Sequence, residues 1–329
     1  MNRLDRSSLF DRLPLLRRRQ LIIKAIRSFF DARDYLEVET SYLVPSPGEE
    51  VHLEPFLSIY ETPWGEKQNL FLHTSPEFAM KRIVAELHQP VYQLARVWRN
   101  KEGGPTHSPE FTMLEWYHPH CSLVELMDET EQLCKVLFPQ QINYKNQQIR
   151  FDLPFECLTI QQAFQRYVGV DILSVPENAQ YLADAAGCKL RDSETWEDLF
   201  FRLLLEKIEP NIGKERPTFL THWPVKQAAL AKIDSADPRV ALRFELYAGG
   251  LELANAFEEL TDPIEQRQRF MNDRQQRENL YPNAPRWEMD EAFLKALSMM
   301  PPCSGIAVGV DRLVMLATGA KNIQDILWI

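Results

Sequence analysis

The spacing of apolar residues predicts a helix near the start of the chain. Between residues 15 and 30 they recur at helical spacing, which indicates a helix with one buried face. The next segment, YLEVETSYLV, is typical of a strand. NLFLHTSPEFAMKRIVAEL then predicts a short strand, a turn at Ser75 and a helix with Glu77 in its first turn, where an acid suits the helix dipole.

Further along the chain the pattern predicts an antiparallel sheet with separate helices. PVYQLARVWR and PEFTMLEWY flank a Gly-rich loop and indicate a hairpin. Further helices are predicted over 121–137, 159–168, 193–208 (capped by Ser193) and 263–280, and strands over 218–223, 241–257 and 305–310. The last strand leads into a helix that ends at Gly319. The predicted class is α+β. No linker divides the chain, so we expect a single domain, 1–329, with a helical insertion near 120–215.

Composition narrows the class of protein. The 329 residues are 45% hydrophobic and 26% charged, which is ordinary for a globular protein. The sequence shows no signal-peptide pattern and no apolar run of the roughly 20 residues that span a bilayer, and its five cysteines are scattered, so we expect a cytoplasmic protein without membrane association. The net charge of −10 argues against a large basic face, so stable tRNA binding is not expected. Residues 1–35 are basic, which fits a solvated helix start or an acidic partner.

The second strand of the hairpin carries candidate binding residues. Alternation places Phe111, Met113, Glu115 and Tyr117 on one face. Phe111 could stack on a flat base, and Glu115 and Tyr117 could face a polar ligand. Arg99, across the loop, offers a rigid fork of donors for phosphate or carboxylate. The same pattern also fits a half-buried strand with a structural Arg–Glu pair.

Two further stretches place charge in apolar surroundings. In GLELANAFEEL, Glu252 and Glu259 differ in parity, so they could serve one site only if a bulge or turn intervenes. Two carboxylates beside a polyphosphate would need Mg²⁺ between them. In SGIAVGVDRLVML, small residues precede Arg312 at a helix start; this suits an anion site, and tight packing explains it equally well.

Other motifs are missing. There is no G-x-x-x-x-G-K-[ST] and no G-x-G-x-x-G, so a nucleotide site must be of another kind. YHPHC offers His118, His120 and Cys121, but no second ligand cluster has matching spacing, and no metal site is expected there. No spacing argues for a Ser–His triad.

Taken together and in order, these stretches resemble the catalytic core of class II aminoacyl-tRNA synthetases. FFDARDYLEVET resembles the first motif of that family, RVWRNKE…HSPEFTMLEWY the second and AVGVDRLVML the third. HSPEFTMLEWY and LELANAFEELTD are most similar to the lysyl branch. The sequence begins almost at the first motif, without the anticodon-binding domain of lysyl-tRNA synthetases. It therefore resembles the lysyl-tRNA synthetase paralogues that attach (R)-β-lysine to elongation factor P, a subfamily that PNIGKERPTF and PPCSGIAVGVDRL also fit.

The resemblance implies a two-step ligase reaction. ATP, with Mg²⁺, would activate the β-lysine carboxylate as an adenylate, and a lysine ε-amine of elongation factor P would then accept the acyl group. Arg99 would bind the α-phosphate, Arg312 the terminal phosphate and Glu252 the Mg²⁺, as the catalytic residues. Further ATP contacts would come from Asn100, Lys101, Glu102, Ser108, Phe111 (stacked on adenine), Leu253 and Gly309. The amino-acid pocket would comprise Ser75, Pro76, Glu77, Tyr117, Glu259 and Ala307. A homodimer is implied, with the first helix and strand at the interface.

The sequence departs from the family pattern in several places. The second motif normally reads Arg-x-Glu, but Lys101 stands at the third position with Glu102 next to it. Either Glu102 takes the role by a one-residue shift, or Lys101 pairs with phosphate directly. The usual Pro of the first motif is Ser41, and the usual Asn-Gly of the fourth stretch is Asn255-Ala256.

A fourth departure bears on the substrate. Ala307 replaces the first Gly of the third motif, and its methyl group would reshape the floor of the amino-acid pocket. Such a change supports a β-amino acid without proving it, because a methyl-sized difference discriminates only about 10–200-fold. Three alternatives remain: a minimal lysyl-type enzyme acting on tRNA or a tRNA-like acceptor, a ligase-type asparagine synthetase, and an inactive binding subunit.

Overall fold

The computed structural model describes residues 8–328. In chain order, its first helices and strands are α1 (Leu9–Asp31), β1 (Leu36–Glu37), β2 (Leu43–Val44), β3 (Phe56–Glu61), β4 (Lys67–Leu72), α2 (Glu77–Leu87), β5 (Val91–Trp98), β6 (Glu110–Pro119) and α3 (Leu123–Leu137). They are followed by β7 (Gln141–Tyr144), β8 (Gln147–Arg150), β9 (Glu156–Thr159), α4 (Ile160–Tyr167), α5 (Ala179–Ala185), α6 (Trp196–Leu203), β10 (Thr218–Pro224), β11 (Val240–Ala248) and β12 (Leu251–Glu258). The last are α7 (Pro263–Leu280), α8 (Glu291–Leu297), β13 (Cys303–Gly309) and α9 (Val310–Thr318).

The described chain forms two compact units. One contains the residues up to 129 together with those from 258 onward, and the other contains residues 130–257. The second unit includes most of the predicted helical insertion and also the strands that follow it. The single domain with an insertion near 120–215 stays a prediction.

In the first unit, four strands pair in the order β1-β5-β6-β13. β1 and β5 are parallel, and β5–β6 and β6–β13 are antiparallel, so the predicted hairpin is confirmed. A second sheet has the order β2-β4-β3. The prediction of one strand over YLEVETSYLV is wrong, because β1 pairs with β5 whereas β2 pairs with β4 in the other sheet.

A buried polar network anchors α1 in this unit. Arg19 forms an ion pair with Asp311 in the first turn of α9 and donates to Thr112 Oγ1 at 2.8 Å. Asp311 in turn accepts the backbone N–H of Thr112 on β6 at 2.6 Å. Arg12 donates to the carbonyl oxygen of Gln324 at 3.2 Å. Two arginines of the basic N-terminal segment therefore have structural roles, and the part of that segment before residue 8 lies outside the described residues.

In the second unit, four strands pair in the order β12-β11-β10-β9, and β7 pairs with β8. The apolar core includes Phe164, Phe200 and Trp223, all fully buried. The predicted helix over 193–208 is α6 followed by a π-helical turn, Leu204–Ile208. Ser193 is not its cap. Thr195 has the extended conformation of an N-cap and forms a capping box with Asp198, whereas Ser193 has a φ of 61°.

Candidate active site

The hairpin strand β6 presents an apolar end and a polar end on one face. Phe111 and Met113 pack with residues of the neighbouring strands, Ala95, Val97 and Ala307. Further along the same face, the Tyr117 hydroxyl donates to Glu115 Oε2 at 3.2 Å. The alternation predicted for this strand is confirmed, and the face can accommodate a flat apolar group at one end and a polar group at the other.

Arg99 lies at the apolar end of that face. Its guanidinium carbon is 5.2 Å from the centre of the Phe111 ring, a cation–π distance. Its Nε donates to the carbonyl oxygen of Thr74 at 3.4 Å, and its Nη1 lies 3.7 Å from Glu102 Oε1. The arginine is therefore held against the aromatic ring and keeps donors for an anion.

The structure separates the two candidates for the acidic position of the second motif. Lys101 has a φ of 61°, and its Nζ lies 2.5 Å from Glu54 Oε2. The amide of Asn100 also donates to Glu54, at 3.2 Å. The left-handed turn at Lys101 directs its ammonium to Glu54 and leaves Glu102 beside Arg99.

The start of α9 carries the second candidate arginine. Gly309 precedes the helix, and Arg312 lies in its first turn with Nη2 2.7 Å from His107 Nε2. Gly104 and His107 form an isolated bridge within the hairpin loop. Ser108, next in that loop, is buried. Arg312 is thus positioned against the same loop that follows Arg99.

Acids and their polar neighbours, buried or half-buried, form the polar end, which we call the carboxylate pocket: Ser75, Glu77, Lys81, Glu115, Tyr117 and Glu259. The Ser75 hydroxyl donates to Glu115 Oε1 at 2.5 Å and accepts the backbone N–H of Glu77 at 3.0 Å. Burial, followed by repulsion from Glu77, raises the pKa of Glu115 to about 8. Pro76 completes the TSPE turn ahead of α2.

Lys81 and Glu259 complete the carboxylate pocket. Lys81 Nζ lies 2.5 Å from Glu77 Oε1 and 2.6 Å from Glu259 Oε2. Burial raises the pKa of Glu259, and the ammonium of Lys81 opposes that shift. The apolar setting of Glu115 and Glu259 therefore favours the binding of a further cation beside them.

Gly305 is a site residue that sequence reasoning missed. A Cβ atom there would lie 2.3 Å from Tyr117 Cε1 and 2.4 Å from Glu259 Oε1, distances that side chains do not tolerate. Gly305 therefore lets Tyr117 and Glu259 approach the backbone of β13. Ala307, two positions on, pairs with Glu115 and contacts the apolar cluster instead. Its methyl group lies between the apolar and polar ends of the face.

Glu50 is a second site residue that sequence reasoning missed. A cavity lined by Glu50, Ser75 and Glu77 connects this loop to the carboxylate pocket. Burial and the charge of Glu77 raise the pKa of Glu50 to about 7. The neighbouring Glu49 is buried and binds Arg274 of α7 at 2.6 Å, which ties the loop to that helix.

In the second unit, Glu252 belongs to a polar face of two strands. The register of β11 and β12 shifts between the pairs Leu246–Ala254 and Tyr247–Glu252, so β12 bulges at Leu253. A bulge, which was the condition for Glu252 and Glu259 to serve one site, is therefore present in this strand. Glu252 lies opposite Tyr247 and on the same face as Glu245.

Glu245 is the third residue that sequence reasoning missed. It is buried and accepts from Arg243 Nη2 and from the Tyr247 hydroxyl, each at 2.5 Å. Burial raises its pKa to about 7, and the neighbouring charge of Glu252 adds to the shift. Two carboxylates on one face of neighbouring strands are a donor set that suits Mg²⁺, which binds one or two carboxylates and completes its shell with water and phosphate oxygens.

Comparison with known proteins identifies the family. The sequence profile of tRNA synthetases class II (D, K and N) matches residues 11–328. The chain belongs to this family. Among curated class II relatives, the elongation factor P–(R)-β-lysine ligases of Salmonella paratyphi B (strain ATCC BAA-1250 / SPB7) and Salmonella heidelberg (strain SL476) are each 44% identical over 323 residues, covering 96% of this chain and 94% of theirs.

These findings confirm the predicted class II synthetase core, its α+β class and the prediction of a ligase enzyme. The described part of the chain contains no helix that is both long and apolar enough to span a membrane.

Proposed function

We propose that the protein activates (R)-β-lysine with ATP and transfers the β-lysyl group to a lysine ε-amine of elongation factor P. The carboxylate pocket carries this proposal: two buried acids, Glu115 and Glu259, together with Glu77, whose side chain is 12% exposed, suit a substrate with two ammonium groups. An aspartate-type substrate would need Lys or Arg in their place. The names of the relatives, which share nearly their whole length with this chain, supply the acceptor.

In the first step, a substrate carboxylate oxygen attacks the α-phosphorus of ATP, the bond to the bridging oxygen breaks, and pyrophosphate leaves. Arg99 would neutralise the α-phosphate while Phe111 stacks on adenine, and Arg312 would bind the terminal phosphate. Glu102 would orient Arg99, and Asn100, Ser108, Leu253 and Gly309 would line the nucleotide. Positioning and neutralisation of charge are the main physical contributions to such a step.

Glu252 and Glu245 would hold Mg²⁺. When bound, this ion neutralises phosphate charge and favours departure of pyrophosphate. The two acids lie on one face of neighbouring strands in the second unit, and the charge of Glu252 acts on Glu245, which supports this assignment. Lys101 has no role in the proposal, since its ammonium is paired with Glu54.

In the second step, a lysine amine attacks the acyl carbon of the adenylate, AMP leaves with the bonding electrons, and the amine nitrogen loses a proton. The product is an amide. We expect the reaction to take place in the cytoplasm and the enzyme to be a homodimer. Support for the dimer comes from Leu21, Leu36 and Leu43, apolar side chains of the first helix and strands that are about half exposed.

The experiment incubates the purified protein with ATP and one amino acid at a time, (R)-β-lysine, α-lysine or aspartate, and measures pyrophosphate release. We expect the highest kcat/KM with β-lysine and none with aspartate. Incubation with elongation factor P should then add one β-lysyl mass, located by mass spectrometry. Transfer to bulk tRNA instead would support a minimal lysyl-type synthetase, and release with none of the amino acids would support an inactive subunit.

A further inference from the structure

Lys81 is the residue of the carboxylate pocket to which the proposed reaction gives no role. Its side chain is only 1% exposed, and lysine is rarely buried unless it is paired. The ammonium lies 2.5 Å from Glu77 Oε1 and 2.6 Å from Glu259 Oε2. It thus joins two acids that the proposed function assigns to substrate binding.

The two acids come from different segments of the first unit. Glu77 begins α2, one turn ahead of Lys81, whereas Glu259 directly follows β12. Without a cation between them, two buried carboxylates would repel each other and gain protons. Lys81 therefore controls both the separation and the charge of the pair.

One carboxylate oxygen remains available. Within the described residues, Glu259 Oε1 is buried and has no hydrogen-bond partner. It lies near Gly305 and the Tyr117 ring, since a Cβ on Gly305 would come within 2.4 Å of it. A buried acceptor without a donor is costly, so this oxygen suits an N–H donor supplied by a ligand.

The charge on Lys81 is stable. Burial alone would lower the pKa of Lys81, but the ion pairs with Glu259 and Glu77 outweigh burial and raise it. The centres of the Tyr117 and Phe293 rings each lie 6.0 Å from Nζ and enclose the ammonium. Lys81 is a fixed cation and not a proton carrier.

We propose that Lys81 is a positioning residue that presents Glu77 and Glu259 to the substrate: its ammonium fixes the two carboxylates and balances one of their charges, so that the remaining charge and Glu259 Oε1 receive a substrate ammonium group. This inference rests on the proposed function, because it assumes that the carboxylate pocket binds an amino acid with two ammonium groups. It adds a determinant of amino-acid affinity that contacts neither ATP nor the reacting carboxylate.

The test compares Lys81→Met and Lys81→Ala with wild type in pyrophosphate release. Lys135→Met is the matched control, because Lys135 forms an i,i+4 pair with Glu131 at 2.6 Å on an exposed part of α3. We expect kcat/KM for β-lysine to fall about 100-fold or more in both Lys81 variants, as when one partner of a buried pair is removed. The KM for ATP should stay within about twofold, since uniform binding of ATP is untouched.

A chemical rescue separates positioning from a structural role. Ethylammonium ions added to Lys81→Ala should restore kcat/KM for β-lysine by about tenfold, because a cation regains its place between the carboxylates. Ethanol, similar in size but neutral, should restore nothing. Loss of activity that affects ATP and β-lysine alike, without amine rescue, would show a merely structural lysine and overturn the inference.

If the single variants do not fold, Lys81→Met with Glu77→Gln removes a cation and an anion together and avoids the unpaired carboxylates. We expect it to fold and to show a higher KM for β-lysine than Glu77→Gln alone; an equal KM in the two variants would overturn the inference. If the wild type is active and Lys81→Met is unaffected, the role of Lys81 is refuted and the proposed function stands. A wild type that activates no diamino acid would refute the proposed function, and the inference with it.

Discussion

Glu102 Oε1 lies 3.7 Å from Arg99 Nη1, whereas the ammonium of the preceding residue is bound elsewhere. The second motif thus keeps an acid beside its arginine although the sequence carries lysine at the usual position. The positive φ of Lys101 accommodates the extra residue by turning it out toward Glu54.

A first prediction compares the contributions of Glu102 and Lys101 to activity. Glu102→Gln should lower kcat for pyrophosphate release about tenfold or more, because Arg99 loses the charge that orients it. Lys101→Met, which removes only an exposed ion pair with Glu54, is the control and should stay within about twofold. Steady-state kinetics at saturating ATP would measure both. A larger loss in Lys101→Met would assign phosphate binding to the lysine.

Ala307→Gly should increase the use of α-lysine relative to β-lysine. The methyl group lies opposite Glu115, between the apolar cluster and the carboxylate pocket, so its removal changes the space beside the reacting end. We expect the ratio of the two kcat/KM values to shift by about tenfold, the size of a methyl effect. Ala95→Gly, which removes a methyl group from the same cluster on β5, is the control. Equal shifts in both variants would rule out Ala307 as the selector.

Glu115 should make the stability of the ligand-free protein depend on pH. Its pKa is raised from 4.5 to about 8 by burial, so the folded state binds a proton that the unfolded state releases between those values. This contribution is fully present below pH 4.5 and is lost as the pH rises through 8.

Urea unfolding at pH 5 and pH 8 measures this effect. The wild type should lose stability relative to Glu115→Gln as the pH rises, by at most about 1.4 kcal/mol per pH unit. Glu125→Gln is the control, because hydrogen bonds from Ser122 lower the pKa of that exposed acid and place its titration below the window. Parallel behaviour of wild type and Glu115→Gln would contradict the prediction.

Glu245→Gln should raise the Mg²⁺ concentration needed for half-maximal pyrophosphate release by about tenfold. The amide oxygen can still accept from Arg243, and the amide nitrogen can donate to the Tyr247 hydroxyl oxygen, so the fold is kept while a negative charge is lost. Glu209→Gln is the control, because Glu209 accepts a longer bond from the same Tyr247 hydroxyl, at 3.3 Å. An unchanged Mg²⁺ dependence in Glu245→Gln would leave Glu252 as the single carboxylate ligand.

The sequence predicted the elements that carry regular patterns. Alternation along β6 placed Phe111 and Tyr117 on one face, and helical spacing predicted α1 and α7. Prediction failed where local signals conflicted with tertiary pairing. YLEVETSYLV has the composition of one strand, but its two ends pair in different sheets, which no local pattern reveals.

The candidate site shows the same limit. Motif residues were found because their types and order are unusual, but Gly305, Glu50 and Lys81 have roles that depend on neighbours distant in sequence. Gly305 leaves space for Tyr117 and Glu259, and Lys81 forms an ion pair with Glu259, which is distant from it in sequence. A lysine on a helix normally indicates a solvated face. Its burial could be learned only from the structure.

The extended strand β6 has a geometric consequence for how such an enzyme can change its substrate. From Phe111 to Tyr117 it spans about 20 Å at the usual rise of a strand, with base-stacking and amine-binding positions at opposite limits. The spacing between these two positions cannot be changed by an insertion, because one added residue would turn every later side chain of the strand to the other face. New specificities can therefore arise by substitution of side chains at either end of this segment, while the distance between its two ends stays the same.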